Sequence, residues 1–160
     1  LDEVASIDIL RSMLDIDLNL VRERDFDGYL PVHHAAMIKS SSFCKILIDA
    51  YPESLRVGTH EGSLPIHECA YGDRDDSADT IQYMLDLCPE SSSTWDWRGY
   101  LPIHGAAWSG NTKAIELLLK HDSSAATKKS TELPAHSPKL PLHLASFVYD
   151  GNRNWVLNPC

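Results

Sequence analysis

One nine-residue phrase recurs along this chain and decides what it can fold into. Gly28-Tyr29-Leu30-Pro31-Val32-His33-His34-Ala35-Ala36 returns as Gly62-Ser63-Leu64-Pro65-Ile66-His67-Glu68-Cys69-Ala70. It returns again as Gly99-Tyr100-Leu101-Pro102-Ile103-His104-Gly105-Ala106-Ala107. A degraded fourth copy reads Lys139-Leu140-Pro141-Leu142-His143-Leu144-Ala145. The motif histidines stand 34, 37 and 39 residues apart. Such self-similarity marks a repeat array, in which each unit buries its apolar face only against its neighbours.

A second pattern falls between the copies. Apolar residues recur at i, i+3 and i+4 in Leu10/Met13/Leu14, Phe43/Ile46/Leu47, Ile81/Met84/Leu85 and Ile115/Leu118/Leu119. That spacing is one face of a helix. Each unit therefore carries a short helix starting at Leu-Pro and a longer one bearing the apolar stripe. Proline suits the first helical turn, where its missing N–H would be unpaired anyway. Ser42, Ser77 and Asn111 are placed to cap the second helices, Pro52 and Pro89 to stop them. Gly28, Gly62 and Gly99 supply the positive φ of a tight turn.

The pattern resembles the ankyrin repeat, with its Thr-Pro-Leu-His-x-Ala signature at a period of 33 residues. The resemblance covers nearly the whole chain and implies an all-α solenoid of helix-turn-helix units joined by short hairpin loops. The units read as a partial repeat over 1–24, full repeats over 25–58, 59–95 and 96–135, and an incomplete one over 136–160. Asp25 and Asp96 lead two of the hairpin tips, and Thr59 stands in that place in the middle one. Leucine replaces the signature threonine at Leu30, Leu64, Leu101 and Leu140. It forfeits a side-chain cap worth about 1 kcal/mol but offers apolar surface to the neighbouring unit. The extra residues of the longer spacings, 72–79 and 133–138, are polar or proline-rich and read as surface loops.

Composition narrows the function. Formal net charge is -9, from 23 acidic and 14 basic side chains, which disfavours nucleic acid and anionic lipid. The Lys128-Lys129 pair is too small to reverse that. No apolar run approaches the roughly 18 residues of a membrane span. Cys44, Cys69, Cys88 and Cys160 form no C-x-x-C pair and read as thiols of a reducing, intracellular and cytoplasmic setting. No charged segment followed by an apolar one opens the chain, and its start at Leu1 reads as a piece of a longer protein.

Catalytic and metal chemistry find no footing. The motif histidines occupy equivalent slots on helices packed about 8–10 Å apart, too far for one zinc ion with bonds of about 2.1 Å. Each ring is expected to hydrogen-bond backbone instead. There is no H-E-x-x-H, nucleophile elbow or phosphate-binding glycine loop, and the acidic run at Asp73, Asp75, Asp76 and Asp79 lacks the glycine and closing glutamate of a calcium loop. No cofactor, metal or catalytic residue is expected.

The resemblance implies a protein-binding module, a scaffold or adaptor, that holds its partner on a concave side of hairpin tips and first helices. An alternative is a regulatory or substrate-docking segment of a larger, enzymatic chain. The implied positions are Phe26, Asp27, Tyr29, His60, Glu61, Ser63, Trp97, Arg98 and Tyr100 at the tips, and Met37, Ile38, Tyr71, Trp108 and Phe147 on the first helices. Aromatics are 8% of the chain but half of these positions, and aromatics and arginine anchor interfaces. Trp97, Tyr100 and Trp108 stand out as anchors, with Arg98 placed to fork a partner carboxylate. Asp27, Glu61 and the overall charge favour a protein partner with basic residues beside an apolar patch. The chain is expected to act as a monomer.

Overall fold

The computed structural model describes residues 2–72, 74–131, 138–149 and 155–157, the strands among these by their backbone. Eight helices run through them. They are α1 (Glu3–Ile16), α2 (Pro31–Ile38), α3 (Ser41–Ala50), α4 (Pro65–Tyr71), α5 (Ser77–Leu87), α6 (Pro102–Ser109), α7 (Thr112–His121) and α8 (Pro141–Ala145). The short helices stack in one row, α2 on α4 on α6 on α8, and the longer ones in a second row, α3 on α5 on α7. A helical solenoid of two-helix units results. After α8 the chain forms two short antiparallel strands, β1 (Phe147–Tyr149) and β2 (Trp155–Leu157), with Val148 opposite Val156.

The core follows the predicted stripes, graded by how many neighbours each helix has. In α5, flanked on both sides, Ile81, Met84 and Leu85 are completely buried. In α1 Leu10 is buried while Met13 is 52% exposed. A 3-10 turn follows each long helix, at Leu18–Arg22, Pro52–Arg56, Pro89–Ser93 and Ser123–Thr127. Pro52 and Pro89 thus end one helix by opening the next turn. Cys44, Cys69 and Cys88 are buried free thiols, and burial pushes the Cys44 thiol up to about 12.

The hairpins interlock. Gly28, Gly62 and Gly99 have φ of 82°, 71° and 79°, and the tip residue of the following hairpin lies over each. A Cβ on Gly28 would meet the His60 ring at 2.6 Å, and one on Gly62 the Trp97 ring at 2.6 Å. One backbone hydrogen bond crosses each junction, from the N–H of His60 to Asp27, Trp97 to Glu61 and Thr131 to Gly99. Asp25 and Asp96 accept the N–H of Tyr29 and Tyr100. Thr59 does the same through its hydroxyl for Ser63, so the middle hairpin closes without the aspartate.

The histidine ladder closes the start of each short helix through the N–H of the leucine, a different donor from the third helical N–H that a threonine would cap. In α2, α4, α6 and α8 the motif ring accepts at Nδ1 the N–H of the leucine three residues before it, at 3.0–3.1 Å. Its Nε2–H then donates to a carbonyl ahead, Val57 for His33, Thr94 for His67 and Lys128 for His104. Both bonds require a neutral ring. Burial pushes His33 and His67 down to about 4 and His104 down as well. The freed leucines turn inward, and Leu30, Leu64 and Leu101 are all buried.

Three local expectations change. Ser40, not Ser42, caps α3, accepting the Phe43 N–H. Ser77 opens α5 without capping it and instead accepts from the Asn111 side chain at 2.6 Å. Asn111 caps α7 as expected. The insertion at 72–79 is docked rather than loose. Asp76 accepts the Ser41 N–H at 2.7 Å across the repeat boundary, and Arg74 bonds both Asp76 and the Ile38 carbonyl. Asp73 and residues 132–137 lie outside the described residues, and with them most of the second insertion. Burial works against the charge on Asp76, yet Arg74 and the Ser41 N–H hold its carboxyl below the usual range. Asp76→Ala should therefore lower stability by about 1–2 kcal/mol, read from urea unfolding. An unchanged midpoint would mean that the docking contributes nothing.

Candidate functional site

Hairpins and short helices together wall a cavity of about 390 Å³ on the first-helix side of the stack. Two columns of the repeat contribute to its lining. After the turn glycine stand Tyr29, Ser63 and Tyr100 in successive units, so the middle unit lacks the ring that its neighbours carry. After the motif histidine stand His34, Glu68, Gly105 and Leu144. Glycine in the third unit lies close against α4, where a Cβ would meet the Tyr71 backbone nitrogen and Cβ at 3.4 and 3.5 Å. Ser63, Glu68 and Gly105 all line the cavity.

The walls are aromatic. Tyr29 and Tyr100 line the hairpin side, each with its ring edge-on to its own motif histidine at 5.7 Å. Met37, Tyr71 and Trp108 are equivalent residues of α2, α4 and α6 and line the helix side. Leu144 of α8 also contributes. Three charged residues, Glu68, Asp96 and Arg98, complete the polar lining together with Ser63 and the neutral rings of His67 and His104. Asp96, 4% exposed, takes the Arg98 Nε at 3.1 Å, and Glu61 approaches the same nitrogen at 3.5 Å. Arg98 is thus engaged within the site, where the sequence suggested a free fork for a partner carboxylate. Glu68 is 6% exposed, and its Oε1 accepts the Ser63 hydroxyl at 2.7 Å. Burial pushes its carboxyl above the ordinary range.

Of the predicted positions, Tyr29, Met37, Tyr71, Arg98, Tyr100 and Trp108 come together around the cavity. Phe26, Asp27, His60, Glu61 and Trp97 lie along the hairpin tips outside it. Among these Phe26 is 95% and Trp97 76% exposed, Trp97 while lying over Gly62. Ile38, beside Met37, is exposed. Phe147 opens β1 rather than continuing a helix, and its side chain lies outside the described residues. Sequence reasoning missed Glu68 and Asp96. The signal for Glu68 was present in the alignment of the four copies, where the slot after the histidine holds His34, Glu68, Gly105 and Leu144 and so is not fixed by the fold.

Among the described residues no group of three or more His, Cys, Asp or Glu side chains could hold a metal ion, and no helix is long and apolar enough to cross a membrane. No curated protein matches the chain. The family model of ankyrin repeats matches residues 32–130, with three copies. Ankyrin repeats are in general protein–protein interaction modules. With that match lying on stacked helix pairs, interlocked hairpins and a histidine at the start of each short helix, the chain belongs to the ankyrin repeat family.

Proposed function

We propose that this protein is a scaffold or adaptor module that holds a segment of a protein partner along the concave side, between the hairpin tips and the short helices. The carrying observation is the aromatic-walled cavity with a buried carboxylate among its lining. Rings anchor an interface because they bury much area at little conformational cost. The partner segment has basic and apolar residues. The charge of -9 and the exposed acids Asp27 and Glu61 at the tips support such a partner and disfavour nucleic acid. The protein does this as a non-catalytic monomer in a reducing, cytoplasmic compartment, a setting its three buried thiols suit.

The test is affinity capture with this chain as bait, followed by mass spectrometry, in parallel with a Tyr71→Ala/Trp97→Ala double variant. These rings are 50% and 76% exposed, so removing them should leave the melting temperature within about 2 °C. Captured proteins should fall at least tenfold. Undiminished capture would move the binding face elsewhere. A collapse of the melting temperature would make these rings structural.

A further inference from the structure

We propose that the cavity receives one arginine side chain of the bound segment, its guanidinium meeting the Glu68 carboxylate between the aromatic walls. This rests on the concave-face reading above and names what is recognised there. Three observations carry it. The first is charge. Glu68, Asp96 and Arg98 are the ionisable acids and bases lining the cavity besides the tyrosines and histidines. Asp96 and Arg98 pair with each other. None of the ion pairs among the described residues includes Glu68. Arg98 acts on Glu68 only from coulombic range, without an ion pair, so a carboxylate that is 6% exposed and has one neutral hydroxyl as hydrogen-bond donor gains from a cation in direct contact.

The second observation is shape and lining. Tyr29, Tyr71, Tyr100 and Trp108 line the same hollow. A cation is attracted to the faces of such rings, and a flat guanidinium both stacks on them and donates to a carboxylate in its own plane. An ammonium, more strongly hydrated, gains less there. The third is the way the hollow arises. Ser63 stands where both flanking units carry tyrosine, and its hydroxyl holds Glu68. The one substitution therefore opens the space and orients the acid. A packing role would be better met by the tyrosine of the other units.

Glu68 then serves binding at the expense of stability, and the test exploits that split. Glu68→Gln keeps the shape and the Ser63 hydrogen bond but removes the charge. The probe is acetyl-arginine N-methylamide, titrated into the protein at pH 7.5 and followed by amide and indole NMR shifts. Counterparts carry citrulline, which is isosteric and neutral, or lysine. The arginine compound should give saturable shifts at Ser63, Tyr71, Gly105 and Trp108. Citrulline should bind at least tenfold more weakly and lysine at least threefold more weakly. Glu68→Gln should weaken arginine at least tenfold while its melting temperature stays level or rises. Equal binding of citrulline, or undiminished binding to Glu68→Gln, overturns the proposal. So does lysine binding as tightly as arginine, or the absence of saturable shifts. If the probe fails while Tyr71→Ala/Trp97→Ala still loses its captured partner, the concave face stands and the arginine assignment falls. If capture also survives that double variant, both fall.

Discussion

Between pH 7.5 and pH 4.5 the protein should lose about 5 kcal/mol of unfolding free energy, a large share of the 5–15 kcal/mol that holds a typical domain. The cause is the histidine ladder. An unfolded histidine titrates near 6.5, whereas His33 and His67 are pushed down to about 4 in the fold. Between those values the unfolded chain binds protons that the native rings refuse. Stability therefore rises with pH through this window and is lost on acidification. Each ring contributes about 1.4 kcal/mol per pH unit, and His104, also pushed down, adds to the slope. Glu68 acts in the opposite sense. Its carboxyl is raised in the fold, so its contribution is present at low pH and is lost as pH rises, a partial offset. The lowered carboxyls of Asp25 and Asp76 act only below their ordinary range near 4. Urea unfolding at pH 7.5, 6.0, 5.2 and 4.5 measures the slope. His67→Phe should flatten it by about one proton while lowering stability at pH 7.5, because the Leu64 N–H and Thr94 carbonyl lose their partner. A free energy that is flat from pH 7.5 to 5 would mean that the rings are not held neutral.

The ladder, the stripes and the glycine turns were readable in the sequence because each is written locally. A proline at the first helical turn, an apolar residue every third or fourth position and a glycine before it all constrain the backbone within a few residues. The capping serines were harder. Ser40 and Ser42 are chemically alike, and only the helix start, fixed by the packing of Cys44 and Leu47, decides which one caps α3. Asp76 was invisible for a different reason, since its partner is Ser41 N–H, 35 residues away, and nothing in the acidic run 73–79 points there.

The binding face was half legible. The columns that repeat, Tyr29 with Tyr100 and Met37 with Tyr71 and Trp108, led to the rings that line the cavity. The cavity itself lies where the Tyr29 and Tyr100 column lacks a ring, at Ser63, and an absence has no motif. The contacts of Arg98 at Nε were not legible because its partners depend on the fold. Asp96 is two residues away but turned inward by its bond to the Tyr100 N–H, and Glu61 arrives from the preceding hairpin. Read as a side chain alone, Arg98 looked free.

Restoring the family's threonine at the leucine slot should weaken the protein, by about 2 kcal/mol for Leu101→Thr, against about 3 kcal/mol for Leu101→Ala. Two effects compete. A threonine hydroxyl at this position would accept the N–H of the third helical residue, a cap usually worth about 1 kcal/mol. Here that donor is already occupied, since the His104 N–H bonds the Leu101 carbonyl at 2.9 Å. The Leu101 N–H is taken in turn by the His104 ring at 3.1 Å. The cap therefore adds little. Against it stands the burial of a leucine that is 0% exposed, worth about 2–5 kcal/mol on truncation, and a hydroxyl that enters the same apolar space without a free partner. The loss should appear as a fall of roughly 6 °C in melting temperature for Leu101→Thr, at about 2–4 °C per kcal/mol for a chain of this size. The same change at Leu140, only half-buried, should cost less than half as much. A rise in melting temperature for Leu101→Thr would show that the hydroxyl cap outweighs the buried leucine, and that the leucine in this slot is not what the histidine ladder makes room for.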